Sequence, residues 1–75
     1  MPTTLPENRM IEIESAVRTY LQTHKSITNR EVRQLTGISY DQAISFFNEM
    51  LRAGRFERVG VYSGTRYVLP RNRNQ

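Results

Sequence analysis

The strongest constraint on the fold is a pair of short segments that each carry a helix start signal. Thr28 and Glu31 have the spacing of a capping box, in which each side chain satisfies a backbone N–H group at the start of a helix. Ser39 and Gln42 repeat this spacing. Gly37 lies between the two segments, and glycine commonly ends helices because it adopts a positive φ without steric cost. The sequence therefore predicts two helices joined by a tight turn.

The second of these helices is predicted over residues 39–53, with Gly54 at its end. Its apolar residues recur at helical spacing: Ala43, Phe46, Phe47, Met50 and Leu51. Phe46 and Phe47 are adjacent, and neighbouring residues of a helix do not point in the same direction. We therefore expect Phe47 at the centre of the buried stripe, and Phe46 either partly exposed or turned toward the segment that follows.

A longer amphipathic helix is predicted before this pair, from Glu7 or Arg9 to His24. Its apolar stripe and last turn hold Met10, Ile13, Val17, Tyr20, Leu21 and His24. Ile27 lies between polar residues and is expected to pair as a minimal strand. In the helix after Thr28, Val32 and Leu35 are expected to point inward.

A β-hairpin is predicted after the helices. Residues 55–59 and 65–69 are β-prone, and the five-residue loop between them has Gly60 and Gly64 at its ends. Pro70 follows and stops the second strand, because proline cannot donate to a ladder of hydrogen bonds.

The order of elements predicts an α+β domain, a winged helix-turn-helix of three helices and a C-terminal hairpin. Residues 1–8 are expected to form a flexible arm, 9–70 the domain and 71–75 a disordered basic tail. The expected core consists of Met10, Ile13, Val17, Leu21, Val32, Leu35, Ile38, Ala43, Phe47 and Met50, with Phe56 and Tyr67 from the hairpin.

Composition argues against several classes of function. A chain of 75 residues offers little material for an enclosed active site, and we expect no enzyme activity. The chain has no cysteine and one histidine, so we expect no metal site and no other cofactor. The sequence has no apolar run long enough for a membrane span, so we expect no membrane partner. Absence of cysteine suits the cytoplasm, and a nucleoid-associated location is the expectation.

Charge favours an anionic partner. Eleven Lys and Arg residues stand against seven Asp and Glu, for a net charge of +4. All of the basic residues except Lys25 are arginines. Nucleic acid is the most common partner for a small domain of this charge.

Residues 28–69 carry a resemblance to a known family. The motifs are Thr36-Gly37-Ile38-Ser39, Gln42-Ala43, Gly54, Glu57-Arg58 and Gly64-Thr65-Arg66-Tyr67. They resemble the winged helix-turn-helix domains of Fic-type proteins and RecG-like bacterial regulators. In size and layout the chain is also similar to small stand-alone regulators of the fimbrial type. The resemblance implies a transcriptional regulator of bacterial, phage or plasmid type, with its third helix in the major groove of double-stranded DNA.

This hypothesis assigns three sets of candidate residues. On the third helix, side chains that can reach base edges are Ser39, Tyr40, Asp41, Gln42, Ser45 and Asn48. Candidates for phosphate contacts are Thr28, Asn29, Arg30, Arg33, Arg52 and Arg55. On the hairpin, or wing, the candidates are Arg58, Tyr62, Ser63, Thr65 and Arg66. The plain alternative for the arginines is a solvated face that balances nearby glutamates.

Other features leave a protein partner open. Asp41 and Glu49 on the third helix and Tyr62 in the hairpin loop are typical of a protein-interaction module, which is the alternative function. Ile11 and Ile44 fall off the main apolar stripes. They indicate either a dimer surface or a wider core stripe.

Overall fold

The computed structural model of the protein describes residues 5–60 and 64–70. Three helices come first: α1 (Glu7–Tyr20), α2 (Asn29–Thr36) and α3 (Tyr40–Arg52). Two antiparallel strands follow and form a hairpin: β1 (Glu57–Val59) and β2 (Arg66–Val68). The predicted α+β class, with three helices and a hairpin after them, is confirmed at this level.

Both predicted capping boxes are formed. The Oγ1 atom of Thr28 accepts from the backbone N–H of Glu31 at 3.1 Å, and Glu31 Oε1 accepts from the N–H of Thr28 at 2.9 Å. Ser39 and Gln42 make the same two bonds at the start of α3, at 3.1 and 3.0 Å. Gly37 ends α2 with a φ of +81°, in the left-handed region that favours glycine. These local signals therefore fix where α2 and α3 begin and how the chain turns between them.

The first helix departs from its prediction at its C-terminal end. It ends at Tyr20 and not at His24. The ring of His24 stacks on Tyr20 with centroids 3.8 Å apart, and its Nδ1 lies 3.0 Å from the Tyr20 carbonyl oxygen. His24 therefore lies outside the helix and gives the carbonyl group of Tyr20 a polar neighbour. The helical spacing of apolar residues does not distinguish this position from a further helical turn.

At the other end of α1, the described part of the expected arm packs against the domain. Leu5 is buried in the core, and α1 already begins at Glu7. Residues 1–4 of the expected arm and the whole expected tail, 71–75, lie outside the described residues.

The hairpin is joined to the helices through Ile27. Ile27 and Tyr67 exchange two backbone hydrogen bonds of 2.9 Å, so the predicted minimal strand is present as a single bridge. Within the hairpin, Arg58 lies opposite Tyr67 and Val59 lies opposite Arg66. Both strands are shorter than predicted.

The core forms where α3 meets α1, α2 and the hairpin. Its buried apolar residues are Leu5, Ile13, Val17, Ile27, Val32, Ile38, Ala43, Phe46, Phe47, Met50 and Phe56. Met10, Leu21 and Tyr67 of the expected core are only partly buried against it.

The structure decides between the two positions expected for Phe46, which turns toward the hairpin segment, and contradicts the buried position expected for Leu35. Phe46 is completely buried, because its ring packs edge-on against Phe47 at 5.2 Å and against Phe56 at 6.0 Å. The hairpin segment thus gives α3 a second buried side, so both phenylalanines lie inside. Leu35 is 42% exposed because it lies at an open cleft beside α1, and α2 reaches the core through Val32.

None of the helices in the described part of the chain has the length and apolar character needed to cross a membrane.

Gly60 closes the hairpin, and its replacement is expected to open it. Gly60 and Gly37 share a φ of +81°. A Cβ at Gly60 would meet the backbone carbonyl of Gly64, whereas a Cβ at Gly37 has nothing within 4 Å. Gly37→Ala should therefore lower the free energy of unfolding by only the left-handed penalty, about 1–2 kcal/mol. Gly60→Ala should lower it by more and remove cross-strand NOEs between 57–59 and 66–68. Urea denaturation and NMR measure both, and equal losses of stability with an intact hairpin would contradict the structure.

Candidate nucleic-acid interface

A groove with a volume of about 440 Å³ lies where α2, α3 and the hairpin meet. It is lined by Thr28, Asn29, Arg30, Arg33, Tyr40, Ile44, Arg58, Thr65 and Tyr67. We call it the arginine groove, because three guanidinium groups from two separate elements line it. Seven of these nine residues were candidates from the sequence, and the fold brings those seven together.

Two of the three arginines belong to α2. Arg33 lies in the last turn of α2, and Arg30 lies in its first turn, which the Thr28 capping box fixes. The helix macrodipole favours anions at this end. The placement of Arg30 is therefore a direct consequence of the local start signal.

The third arginine of the groove comes from β1. Arg58 lies opposite Tyr67, and directly opposed residues of an antiparallel pair share one face of the sheet. Tyr67 stacks on Phe47 of α3 with ring centroids 3.7 Å apart. This stack holds the Arg58 face of the hairpin toward the helices. Arg66 follows the opposite alternation, so it lies on the other face of the hairpin and outside the groove.

Arg33 is held from two directions. Its Nε donates to the side-chain oxygen of Asn29 at 2.6 Å, and its guanidinium carbon lies 5.4 Å from the centre of the Tyr40 ring. The hydrogen bond and the cation–π contact fix the plane of the guanidinium. Arg33 also links α2 to the start of α3 across the turn at Gly37.

The exposed face of α3 borders the groove. Tyr40 is 56% exposed and Ile44 is 39% exposed, and Asp41 and Asn48 are exposed as well. Ser45 is half-buried. The structure thus places Tyr40, Asp41 and Asn48 on the outer face, as the sequence predicted.

Two further candidates on α3 are engaged in the cap. Ser39 Oγ and Gln42 Oε1 accept backbone N–H groups at the helix start, so only their donor groups remain for a partner. Ile44, in contrast, lines the groove but was not among the predicted site residues. Its spacing of four residues from both Tyr40 and Asn48 is the signal that could have identified it.

The arginines of the chain divide into two groups. Within residues 5–60 and 64–70, four arginines pair with carboxylates: Arg9 with Glu12, Arg18 and Arg55 with Glu14, and Arg52 with Glu49. In the same ranges Arg30, Arg33, Arg58 and Arg66 have no carboxylate within ion-pair distance.

Arg52 and Arg55 were predicted phosphate contacts, and the structure places both outside the arginine groove. Arg52 Nη2 lies 2.7 Å from both carboxylate oxygens of Glu49, and this bond raises the pKa of Arg52 above its ordinary value. Arg55 Nη1 lies 2.9 and 3.0 Å from the carboxylate of Glu14, which is nearly buried on α1. Both guanidiniums are therefore already partly neutralised.

On the hairpin, Thr65 lines the groove and Arg66 is exposed on the opposite face. The predicted contacts of Tyr62 and Ser63 lie outside the described residues. No group of three or more His, Asp or Glu side chains comes together in the ranges 5–60 and 64–70 to hold a metal ion.

Comparison of the chain with protein-family models, with curated proteins and with solved structures found no match.

The restraint on Arg33 can be measured directly. Its Nε–H is hydrogen-bonded to Asn29, so this proton should exchange with solvent more slowly than the Nε–H of Arg58. Asn29→Ala should remove the difference and cost about 0.5 kcal/mol of stability, as for other side-chain pairs one helical turn apart. NMR of the arginine Nε–H groups is the measurement, with Asn48→Ala as the control that leaves the rate unchanged. Equal exchange at Arg33 and Arg58 in the unmodified protein would contradict the geometry.

Proposed function

We propose that this protein is a small winged-helix DNA-binding protein that regulates transcription. In this proposal α3 enters the major groove of double-stranded DNA, and α2 and the hairpin contact phosphates. The observation that carries it is the set of three guanidiniums, from Arg30, Arg33 and Arg58, that line one groove beside the exposed face of α3. The order of three helices and a hairpin supports the same layout.

The chemistry of the groove suits phosphate. Guanidinium groups bind phosphate oxygens through paired donors, and they keep their charge at every physiological pH. Arginines that already pair with carboxylates lose part of their attraction for an anion. The three groove arginines contact no carboxylate among the described residues, so their charge remains available to a partner.

The exposed face of α3 suits the major groove. This groove is wide enough for an α-helix, and it presents a different pattern of donors and acceptors for each base pair. Asn48 can pair with adenine, and Ser45 can contact several bases. Glu49, whose charge would repel phosphates, is held by Arg52, which reduces the repulsion that this helix would otherwise exert.

The regulatory role comes from the resemblance of residues 28–69 to bacterial winged-helix regulators. One module of this size covers little DNA surface, so we propose that two copies act together on adjacent half-sites. The exposure of Ile11, at 60%, leaves an apolar side chain of α1 for contact between copies.

The alternative is a protein-interaction module that uses the same face of α3. The exposed carboxylate of Asp41, in the first turn of α3, favours this alternative because it would repel a phosphate backbone. The two functions differ in their response to salt and to duplex DNA, which the next experiment measures.

We expect duplex DNA to bind, with an affinity that falls as salt rises. The three groove arginines, Arg30, Arg33 and Arg58, have no carboxylate partner among the described residues and give a slope of log K against log salt of about −2.7, from about 0.9 for each phosphate. Fluorescence anisotropy with a random duplex at several salt concentrations measures the slope. A slope near zero, or no binding at about 50 mM salt, would reject the DNA function and favour the protein partner.

The position of the charge should matter as well as its amount. Arg58→Ala removes a guanidinium from the arginine groove, so it should weaken binding to all duplexes alike and make the slope shallower by about 1. Arg9→Ala removes the same charge from α1, where the guanidinium pairs with Glu12 at 2.9 Å, and is the matched control. We expect Arg9→Ala to leave the slope nearly unchanged. Equal effects of the two variants in the same titration would mean that only net charge attracts DNA and that the groove is not the contact.

A further inference from the structure

The arginine groove contains an exposed apolar side chain that phosphate binding does not explain. Ile44 is 39% exposed and lies on α3 beside Tyr40, one helical turn away. Both side chains line the same groove as the three guanidiniums. At this exposure Ile44 is not part of the buried core, and its side chain is accessible to a partner. Its place between charged groups calls for a partner that is anionic and that also offers an apolar group.

Double-stranded DNA offers one such group in its major groove, the C5-methyl of thymine. The other base edges there present hydrogen-bond donors and acceptors, and apolar side chains contact this methyl group in protein–DNA complexes. The guanidiniums of Arg30, Arg33 and Arg58 supply the charge complementarity that would bring a phosphate backbone to this face.

We propose that Ile44 packs against the C5-methyl group of a thymine and makes this protein selective for sites that contain A·T pairs at that position. The proposal rests on the proposed DNA-binding function and names the base that α3 recognises. It adds Ile44 to the residues that recognise bases, although isoleucine has no polar side-chain atom and cannot form hydrogen bonds with them.

The neighbouring side chains of α3 are compatible with this reading. Asn48 follows Ile44 by four residues, which is a rise of roughly 6 Å along the helix, and it is exposed on the same side. Successive bases of one strand are about 3.4 Å apart along the duplex, so Ile44 and Asn48 can address positions about two steps apart. Asparagine pairs with adenine through two hydrogen bonds. Together these side chains favour A·T pairs over G·C pairs.

Contacts on the neighbouring faces of α3 hold the helix that carries Ile44 in place. Tyr40 lies against the Arg33 guanidinium at 5.4 Å, and the buried side of α3 holds Phe46 and Phe47 in the core. The helix face that carries Ile44 is therefore held in place before a partner arrives. A side chain of this kind can distinguish partners by a single methyl group.

The test replaces thymine by uracil. Preferred duplexes are first selected from a random library, and each thymine in the selected site is then replaced by deoxyuridine, which keeps base pairing and charge and removes only the methyl group. At one position the substitution should weaken binding about fourfold, the factor that corresponds to about 0.8 kcal/mol for one buried carbon group. In Ile44→Ala, thymine and uracil duplexes should bind equally.

Leu35→Ala is the matched control, because Leu35 is 42% exposed on α2, outside the arginine groove. This variant should keep the fourfold preference for thymine, and circular dichroism should show that both variants fold. Equal binding of thymine and uracil duplexes by the unmodified protein would overturn the inference, as would selected sites without A·T pairs or a thymine preference that survives in Ile44→Ala.

The same data separate failure of this inference from failure of the function. If no duplex binds at low salt, the DNA-binding function and this inference both fall. If duplexes bind with a steep salt dependence but without a thymine preference, the function stands and the inference is wrong. If Ile44→Ala instead reduces the oligomeric state and leaves the thymine preference intact, Ile44 packs on a second copy of the chain and the inference is again wrong.

Discussion

The contact between Phe47 and Tyr67 is the interaction on which the arrangement of this domain depends. The two rings stack 3.7 Å apart, and Tyr67 is tied to Ile27 by two backbone hydrogen bonds of 2.9 Å. A hairpin of two three-residue strands has too few cross-strand contacts to be stable alone. The stack and the bridge attach it to the helices from two directions. Without them β2 would lose its attachment to α3 and to Ile27, and the face that carries Arg58 would not be held toward the helices.

The charge distribution follows from this attachment. Arg58 shares the face of the hairpin that the Tyr67 stack turns toward the helices, so it meets the arginines of α2. Three like charges that line one groove repel one another, and a partner of opposite charge would reduce this repulsion. Outside the groove, most arginines of the described residues pair with carboxylates, and Glu14, for example, receives both Arg18 and Arg55, whereas Arg66 has no such partner in the described ranges. The contrast between these two groups of arginines is the main support for an anionic partner at the groove.

In the proposed function, the groove and the exposed face of α3 would divide positioning on DNA from base selection. Guanidiniums bind any phosphate backbone, so they determine affinity and orientation and carry no sequence information directly. The exposed face of α3 differs in kind, since Asn48 offers paired hydrogen bonds and Ile44 offers apolar surface. Arg33 joins the two parts, because it contacts both Asn29 of α2 and the Tyr40 ring of α3. A change in the orientation of α2 would therefore alter the contact between Arg33 and the Tyr40 ring at the start of α3.

The sequence by itself determined the local features of this protein. Capping boxes and the turn at Gly37 act within a few residues, so the starts of α2 and α3 could be predicted from spacing alone. Tertiary structure decided which side chains lie inside, because burial depends on what packs against each face. Phe46 is buried because the hairpin segment brings Phe56 against it, and Leu35 is exposed at an open cleft beside α1. The site divides in the same way. Arg30, Arg33 and Arg58 could be identified as candidates from residue type. Three other features depend on contacts between residues far apart in the chain: the meeting of these arginines in one groove, the pairing of Arg55 with a glutamate of α1, and the exposure of Ile44.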